Sequence, residues 1–138
     1  MKLILLHNQE AMKKNISKSL YWTPRILSIA FVCFLFLMSF DVIGLGLGFW
    51  RTVGAFFMHS LPALFLLGVL LVSWKYEIVG GIGFILAGLV YIGLLMRNPF
   101  EWYMIAWAIQ ISGISFLTGT LFLIGWFRKN KYTLHLKK

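Results

Sequence analysis

Four long apolar runs, separated by short polar stretches, dominate the pattern of hydrophobic and polar positions along the chain. A helix rises about 1.5 Å per residue, so about twenty apolar residues cross a hydrocarbon layer about 30 Å thick. The runs lack the alternation of barrel strands, and helices satisfy their own backbone groups in lipid. The pattern therefore predicts four transmembrane helices, at about 26–48, 53–74, 78–96 and 102–127.

The predicted fold is an all-α transmembrane four-helix bundle. Only a few residues separate successive runs, so neighbouring helices must be antiparallel, in an up-down-up-down order. A basic segment at 1–20 precedes the four-helix domain at 21–127, and a basic tail follows at 128–138. With 60% hydrophobic and 12% charged residues and a mean hydropathy of +0.85, a water-soluble domain this small could not bury its apolar surface.

Basic residues are distributed unequally between the two ends of the predicted bundle. Eleven of the 13 Lys and Arg residues fall on the side of the termini, and Arg51 and Arg97 fall on the other. The positive-inside rule therefore predicts cytoplasmic N and C termini in the cell membrane. The net charge of +9 lies in termini and loops, which suits anionic lipid headgroups better than nucleic acid. The predicted interface anchors are Trp22, Arg25, Trp50, Trp74, Trp102 and Trp126.

The N-terminal region raises two questions, whether a signal peptide is cleaved and where translation begins. A basic lead before an apolar run is also typical of a cleaved signal peptide, but this run is long and only Gly44 and Gly46 offer a small-x-small pattern. We expect no cleavage. Residues 1–11 fit poorly with the rest of the chain, whereas Met12 and the two lysines after it are typical of the start of a small membrane protein. We expect that translation can begin at Met12.

Each predicted helix carries one hydrogen-bonding side chain at a similar depth in the outer leaflet. Ionisable groups cost energy in a bilayer and usually face a bundle interior or a water-filled cavity. The first interpretation is structural, with interhelical hydrogen bonds that fix the rotation of each helix. The second is a proton, cation or small-ligand site built on a coupled acid and base, Asp41 and His59. In a third, the side chains reach out to water. The four residues are Asp41, His59, Tyr91 and Gln110.

Other chemistry is sparse. Cys33 is the only cysteine, which excludes an intrachain disulfide and a cysteine-based zinc site. Two histidines, His7 and His135, lie in the tails and cannot join His59 in a metal site. Lys75 and Glu77 are expected to form an anchoring pair at the cytoplasmic edge. No Walker loop, HExxH or GxSxG motif occurs, so neither an enzyme nor a cofactor is expected.

Small residues recur at spacings of three or four in the apolar runs. Such residues let the backbones of packed membrane helices approach closely. We expect this packing mainly within one bundle, with a homodimer face as the minority interpretation. The pairs are Gly44 with Gly48, Gly83 with Ala87, and Ser115 with Gly119.

Several segments between residues 20 and 127 form a recognisable set of motifs: YWTPRILSI, FD, GFW, MHSLP, WKYEIVGGIGFILAGLVYI and ISFLTGTLFLIGWF. With these motifs the chain resembles, over nearly all of 20–127, a family of small tetraspan prokaryotic membrane proteins of uncharacterised function. The resemblance implies the tetraspan architecture but no activity. Arg51 departs from the family pattern, in which an acidic residue is expected beside GFW. The matching residues are Trp22, Pro24, Arg25, Asp41, His59, Pro62, Trp74, Glu77, Gly80 and Gly81.

The sequence thus predicts an integral membrane protein of unknown biochemical activity, most simply a structural or accessory protein. The alternative is a small oligomeric transporter or channel subunit with Asp41 and His59 at its site. The expected partners are the lipid bilayer with its anionic headgroups and either a second copy or another membrane protein, and no nucleic acid.

Overall fold

The computed structural model describes residues 1–97, 99 and 101–135, and the side chains of 11–17 and 132–135 fall outside this description. Within these residues the chain is helical and has no strand, which confirms the predicted all-α class. Helix α1 covers Lys2–Met38 and runs into a 3-10 helix, Ser39–Leu45. Helices α2, α3 and α4 cover Phe49–Ser73, Glu77–Leu95 and Trp102–His135.

Four helical segments are long and apolar enough to cross a membrane, as the hydropathy pattern predicts. These segments are Lys18–Leu45, Phe49–Ser73, Glu77–Leu95 and Trp102–Lys131. The first and the last belong to helices that extend into the basic ends of the chain, because α1 begins at Lys2 and α4 continues to His135.

The first span changes its helix type before it ends. The α-helix stops at Met38, and a 3-10 helix continues to Leu45, whereas the sequence predicts one helix to residue 48. Gly46 and Gly48 then adopt positive φ angles of 63° and 80°. A residue without Cβ enters this left-handed region at little cost, so these two glycines end the 3-10 helix and turn the chain into α2.

The helices form a ring in which α1 contacts α2 and α4, and α3 contacts the same two neighbours. Large apolar side chains fill its centre. The Phe84 ring lies 6.1 Å from the Phe122 ring and 6.4 Å from the Phe31 ring, centroid to centroid. The core therefore joins α1 to α3 across the ring. Its buried members are Phe31, Val32, Leu66, Leu70, Phe84 and Phe122.

Small residues bring α3 and α4 closest together. A Cβ on Gly119 would lie 2.8 Å from the Gly81 carbonyl oxygen and 3.1 Å from the Ile85 backbone nitrogen. Gly44 and Gly48, predicted to serve in the same way, have nothing within 4 Å of such a Cβ in the described part of the chain. The 3-10 turn and the chain reversal place them at an open end of the bundle, so this expected packing pair is wrong within one chain.

We predict that Gly119→Ala destabilises the bundle by about 1–3 kcal/mol, because the added methyl group meets backbone atoms that cannot rotate away. Gly113 lies on the same helix with nothing within 4 Å of a Cβ, so Gly113→Ala is the matched control and should melt at or above the parent temperature. Thermal unfolding in detergent measures both variants. Equal melting temperatures for them would contradict the close α3–α4 packing.

Candidate functional site

A buried ion pair closes one end of the bundle. Arg25, in α1, and Glu77, the first residue of α3, bring Nη2 and Oε1 to 3.2 Å, with side chains only 2% and 10% exposed. Desolvation of two charges costs more than their attraction returns unless the geometry and the remaining hydrogen bonds are good. The surroundings of this pair therefore decide what it can do.

The chain around Arg25 holds the guanidinium in place. Its Nη1 donates a hydrogen bond of 2.6 Å to the Tyr21 carbonyl one turn earlier, and its Cζ lies 3.6 Å from the centroid of the Tyr21 ring. The Phe122 ring lies 5.8 Å from the same carbon. Both rings fall within the distance at which a cation is attracted by an aromatic face. Arginine provides a planar group that can pair, stack and donate at once, as lysine cannot.

Glu77 occupies the first turn of α3, where the positive end of the helix dipole favours a carboxylate. Nearby hydroxyl groups are satisfied by backbone carbonyls. Ser28 donates to the Arg25 carbonyl at 2.8 Å, and Ser73, at the end of α2, donates to the Leu70 carbonyl at 2.6 Å. The Nε of Arg25 is buried without a hydrogen-bond partner among the described residues. The arrangement is a structural tie between α1 and α3.

The ion pair departs from one expectation of the sequence analysis. Arg25 is buried inside the bundle, and its predicted position at a membrane interface stays a prediction. Glu77 pairs with Arg25, not with Lys75, whose Nζ lies 5.5 Å from the Tyr76 ring centroid. The physical reason is burial. A carboxylate facing the core needs a cation that also faces the core, and Lys75 is exposed.

The predicted outer layer is not assembled within one chain. Asp41, in the 3-10 helix, and His59 and Gln110, on α2 and α4, are exposed, while Tyr91 on α3 is half-buried. Nδ1 of His59 lies 3.0 Å from the Ala55 carbonyl of its own helix, an acceptor that requires a proton on Nδ1. No hydrogen bond or ion pair joins any two of these four residues in the described structure. A ligand or proton site at these residues stays a prediction.

Besides the ion pair, several serines face inward, and two of them bond to a neighbouring helix. Ser112 donates to the Gly88 carbonyl at 3.2 Å, and Ser115 donates to the Phe84 carbonyl at 2.5 Å. Both bonds join α4 to α3. Ser60 is also buried, directly after the exposed His59, and its Oγ has no partner among the described residues. Among the described residues, serines therefore make hydrogen bonds between α4 and α3.

The predicted aromatic anchors are mostly exposed on the outside of the bundle. Trp22, Trp50, Trp74 and Trp102 are exposed, and Trp126 is half-buried, with its ring 4.8 Å from the Phe127 ring. Exposure is what an interfacial role requires, and their position in a bilayer stays a prediction. Among the described residues, no three His, Cys, Asp or Glu side chains come together to hold a metal ion.

Two cavities lie at the end of the bundle opposite the ion pair. One, of about 610 Å³, lies between the 3-10 helix and the start of α2, and the other, of about 390 Å³, lies between the end of α3 and the start of α4. Apolar side chains such as Phe56 and Met104 line them. Neither includes Asp41, His59, Tyr91 or Gln110, so neither is the predicted polar site.

Sequence reasoning named Arg25 and Glu77 but did not pair them. The available signal was that both flank predicted spans on the basic side, with opposite charge. In an up-down-up-down bundle, the first and third helices begin on the same side. Residues at their starts therefore lie at the same level along the bundle axis. What the sequence lacked was the rotation of each helix about its axis.

We predict that Glu77→Gln destabilises the protein by about 3–5 kcal/mol, because it leaves the buried Arg25 charge without a counter-charge. The double variant Arg25→Met with Glu77→Leu should recover much of this loss, since it removes both charges. Glu101→Gln, which removes an exposed carboxylate, is the control and should melt like the parent. Thermal unfolding in detergent measures all three. A parent-like melting temperature for Glu77→Gln would show that the ion pair does not hold the bundle.

Comparison with known proteins adds a family but no activity. The model of a domain of unknown function, DUF7670, matches residues 12–133. No curated protein and no solved structure matches the chain. The family match spans most of the chain, including all four apolar helices and the Arg25–Glu77 pair. The chain therefore belongs to the DUF7670 family.

Proposed function

We propose that this protein is a structural or accessory integral membrane protein whose role is carried by its lipid-embedded surface, without catalysis or transport. The observation behind the proposal is the buried Arg25–Glu77 pair, which ties α1 to α3 at one end of an apolar core. Transport sites in membrane proteins lie near the midplane between elements that move against each other. Here the centre of the described bundle is filled by phenylalanine rings.

The proposed topology has four antiparallel spans with both termini in the cytoplasm. Contacts between α3 and α4 support it, because Gly80 lies against Phe122 whereas Gly88 lies against Phe116, earlier in α4. The concentration of eleven basic residues at the end that holds Arg25 supports a cytoplasmic position for that end. By resemblance, we place the protein in the cell membrane of a prokaryote.

The alternative, a small oligomeric transporter or channel subunit, finds less support in the structure. Asp41 and His59 are exposed and share no hydrogen bond or ion pair in the described structure, so the described residues of one chain offer no coupled acid and base. A second copy would have to complete the site. Exposed polar groups on membrane helices do favour a protein neighbour. We therefore keep a second copy or another membrane protein as the proposed partner, and propose neither enzyme activity nor a nucleic-acid partner.

We predict the orientation from labelling of single cysteines in a Cys33→Ser background. Arg51→Cys, in the first turn of α2, should react with a membrane-impermeant maleimide added to intact cells. Lys131→Cys, near the end of α4, should react only after permeabilisation. Cys33→Ser alone is the unlabelled control. The opposite pattern would overturn the proposed topology.

We predict that the full-length protein in liposomes carries no proton or cation flux above that of empty liposomes. Asp41→Asn and His59→Gln should each change the free energy of unfolding by less than about 0.5 kcal/mol, because both side chains are exposed. Flux assays with pH- and cation-sensitive dyes, with detergent melts of the same samples, provide the measurement. Flux in the parent that disappears in a folded variant would replace the accessory role with transport.

A further inference from the structure

One face of α4 is exposed along its apolar span, and we call it the outer face. Its residues recur at alternating spacings of four and three, so they form one narrow row along the helix. The opposite side of α4 holds buried residues such as Ser112, Thr118 and Phe122. The row consists of Ala106, Gln110, Gly113, Leu117, Thr120 and Ile124, all exposed.

Two polar side chains of the outer face, those of Gln110 and Thr120, make no hydrogen bond with any described residue. Thr118, on the buried side, donates to the Ile114 carbonyl at 2.7 Å, and Thr120 makes no such bond to its own helix. Both side chains belong to the apolar segment Trp102–Lys131. In the proposed bilayer, hydrocarbon offers them no partner, so they favour contact with another protein surface.

The chemistry of the outer face suits a second copy of the chain. Two copies in the same orientation pair about a two-fold axis normal to the membrane, so a residue at the axis meets the same residue of its partner. A group bonds its own copy only if it both donates and accepts, as the Gln110 amide and the Thr120 hydroxyl do. No charged residue occurs between Trp102 and Phe127, so the pairing brings no like charges together.

The shape of the outer face lets two helices approach. A Cβ on Gly113 would have nothing within 4 Å among the described residues, so the space beside it is open. Leu117, the next residue of the row, is 54% exposed. Alternating spacings of four and three are typical of left-handed helix pairs, in which such a side chain enters a gap on the facing helix. Small residues in the row, Ala106 and Gly113, leave room for that gap.

Asp41 and His59, the exposed ionisable groups of the predicted layer, suit such an axis less well. Two copies of Asp41 would bring two carboxylates together. The Nδ1 proton of His59 is directed to the Ala55 carbonyl at 3.0 Å, so the neutral ring offers only an acceptor at Nε2. Two such acceptors share no proton. The self-complementary polar groups therefore favour α4 over α2 and the 3-10 helix.

We propose that two copies of the chain pair through the outer face of α4, with Gln110 and Thr120 hydrogen-bonded to their counterparts across the two-fold axis. This inference deepens the proposed function, because it names a second copy as the partner and the surface that binds it. It rests on the proposed membrane placement.

Cross-linking in native membranes locates the contact. In a Cys33→Ser background, Leu117→Cys should form a disulfide between copies on mild oxidation, because residues at the axis approach their counterparts. Leu64→Cys is the matched control and should stay monomeric. Leu64 is 46% exposed on α2, and both residues lie 15 positions beyond the first residue of their helix. Both variants keep Gln110 and Thr120, so this experiment does not depend on how the polar variants fold.

Dimerisation in liposomes tests the polar bonds. Energy transfer between donor- and acceptor-labelled copies of the full-length protein, over a range of protein-to-lipid ratios, gives the dissociation constant. Gln110→Leu with Thr120→Val should raise this constant about tenfold, because the variant loses the interhelical hydrogen bonds but keeps an apolar surface. His59→Leu, which removes an exposed polar side chain from α2, is the control and should leave the constant unchanged.

Three results would overturn the inference. A parent without energy transfer at any ratio is a monomer or the subunit of a different protein. Cross-linking of Leu64→Cys that equals that of Leu117→Cys would move the contact away from α4. A parent-like dissociation constant for the folded double variant would remove the polar bonds across the axis. Failure of the proposed function is a different observation, since a protein that stays soluble without detergent would refute the membrane placement itself.

Discussion

A charge inside a low-dielectric bundle needs a counter-charge within reach, and this requirement sets the register of the helices. Arg25, on α1, pairs with Glu77, on α3, across the ring. Six residues beyond Arg25 comes Phe31, and seven beyond Glu77 comes Phe84, so both rings lie about 9–11 Å further along their helices. Their contact at 6.4 Å shows that the ion pair and the aromatic core keep one register.

In the proposed bilayer this pair has unusual weight, because lipid tails are as apolar as leucine side chains and provide no hydrophobic driving force between helices. Close approach and polar bonds must hold the bundle together. Gly81, Gly119 and Ser115 supply both between α3 and α4. The ion pair then links α1 to α3. Helix α2 packs against α3 where Val69 fills the space beside Gly83.

The hydropathy pattern predicted where residues lie along the helices better than it predicted the direction in which their side chains point. Run lengths and hydropathy predicted four spans, and the structure has four helices of that kind. The same reasoning put His59 in a shared layer by depth, yet His59 is exposed and the next residue, Ser60, is buried. One residue turns a helix by about 100°, and helices that are apolar on all sides give little sign of which face is inward. The 3-10 turn around Asp41 shifts that direction again.

Residues of one charge at one end of the bundle have different physical roles. Arg25 is buried, stacked on Tyr21 and paired with Glu77, so its charge is compensated inside the protein. Lys75 and Lys129 are exposed. A count of basic residues treats these three alike. Only burial distinguishes the cation that holds helices together from the exposed ones.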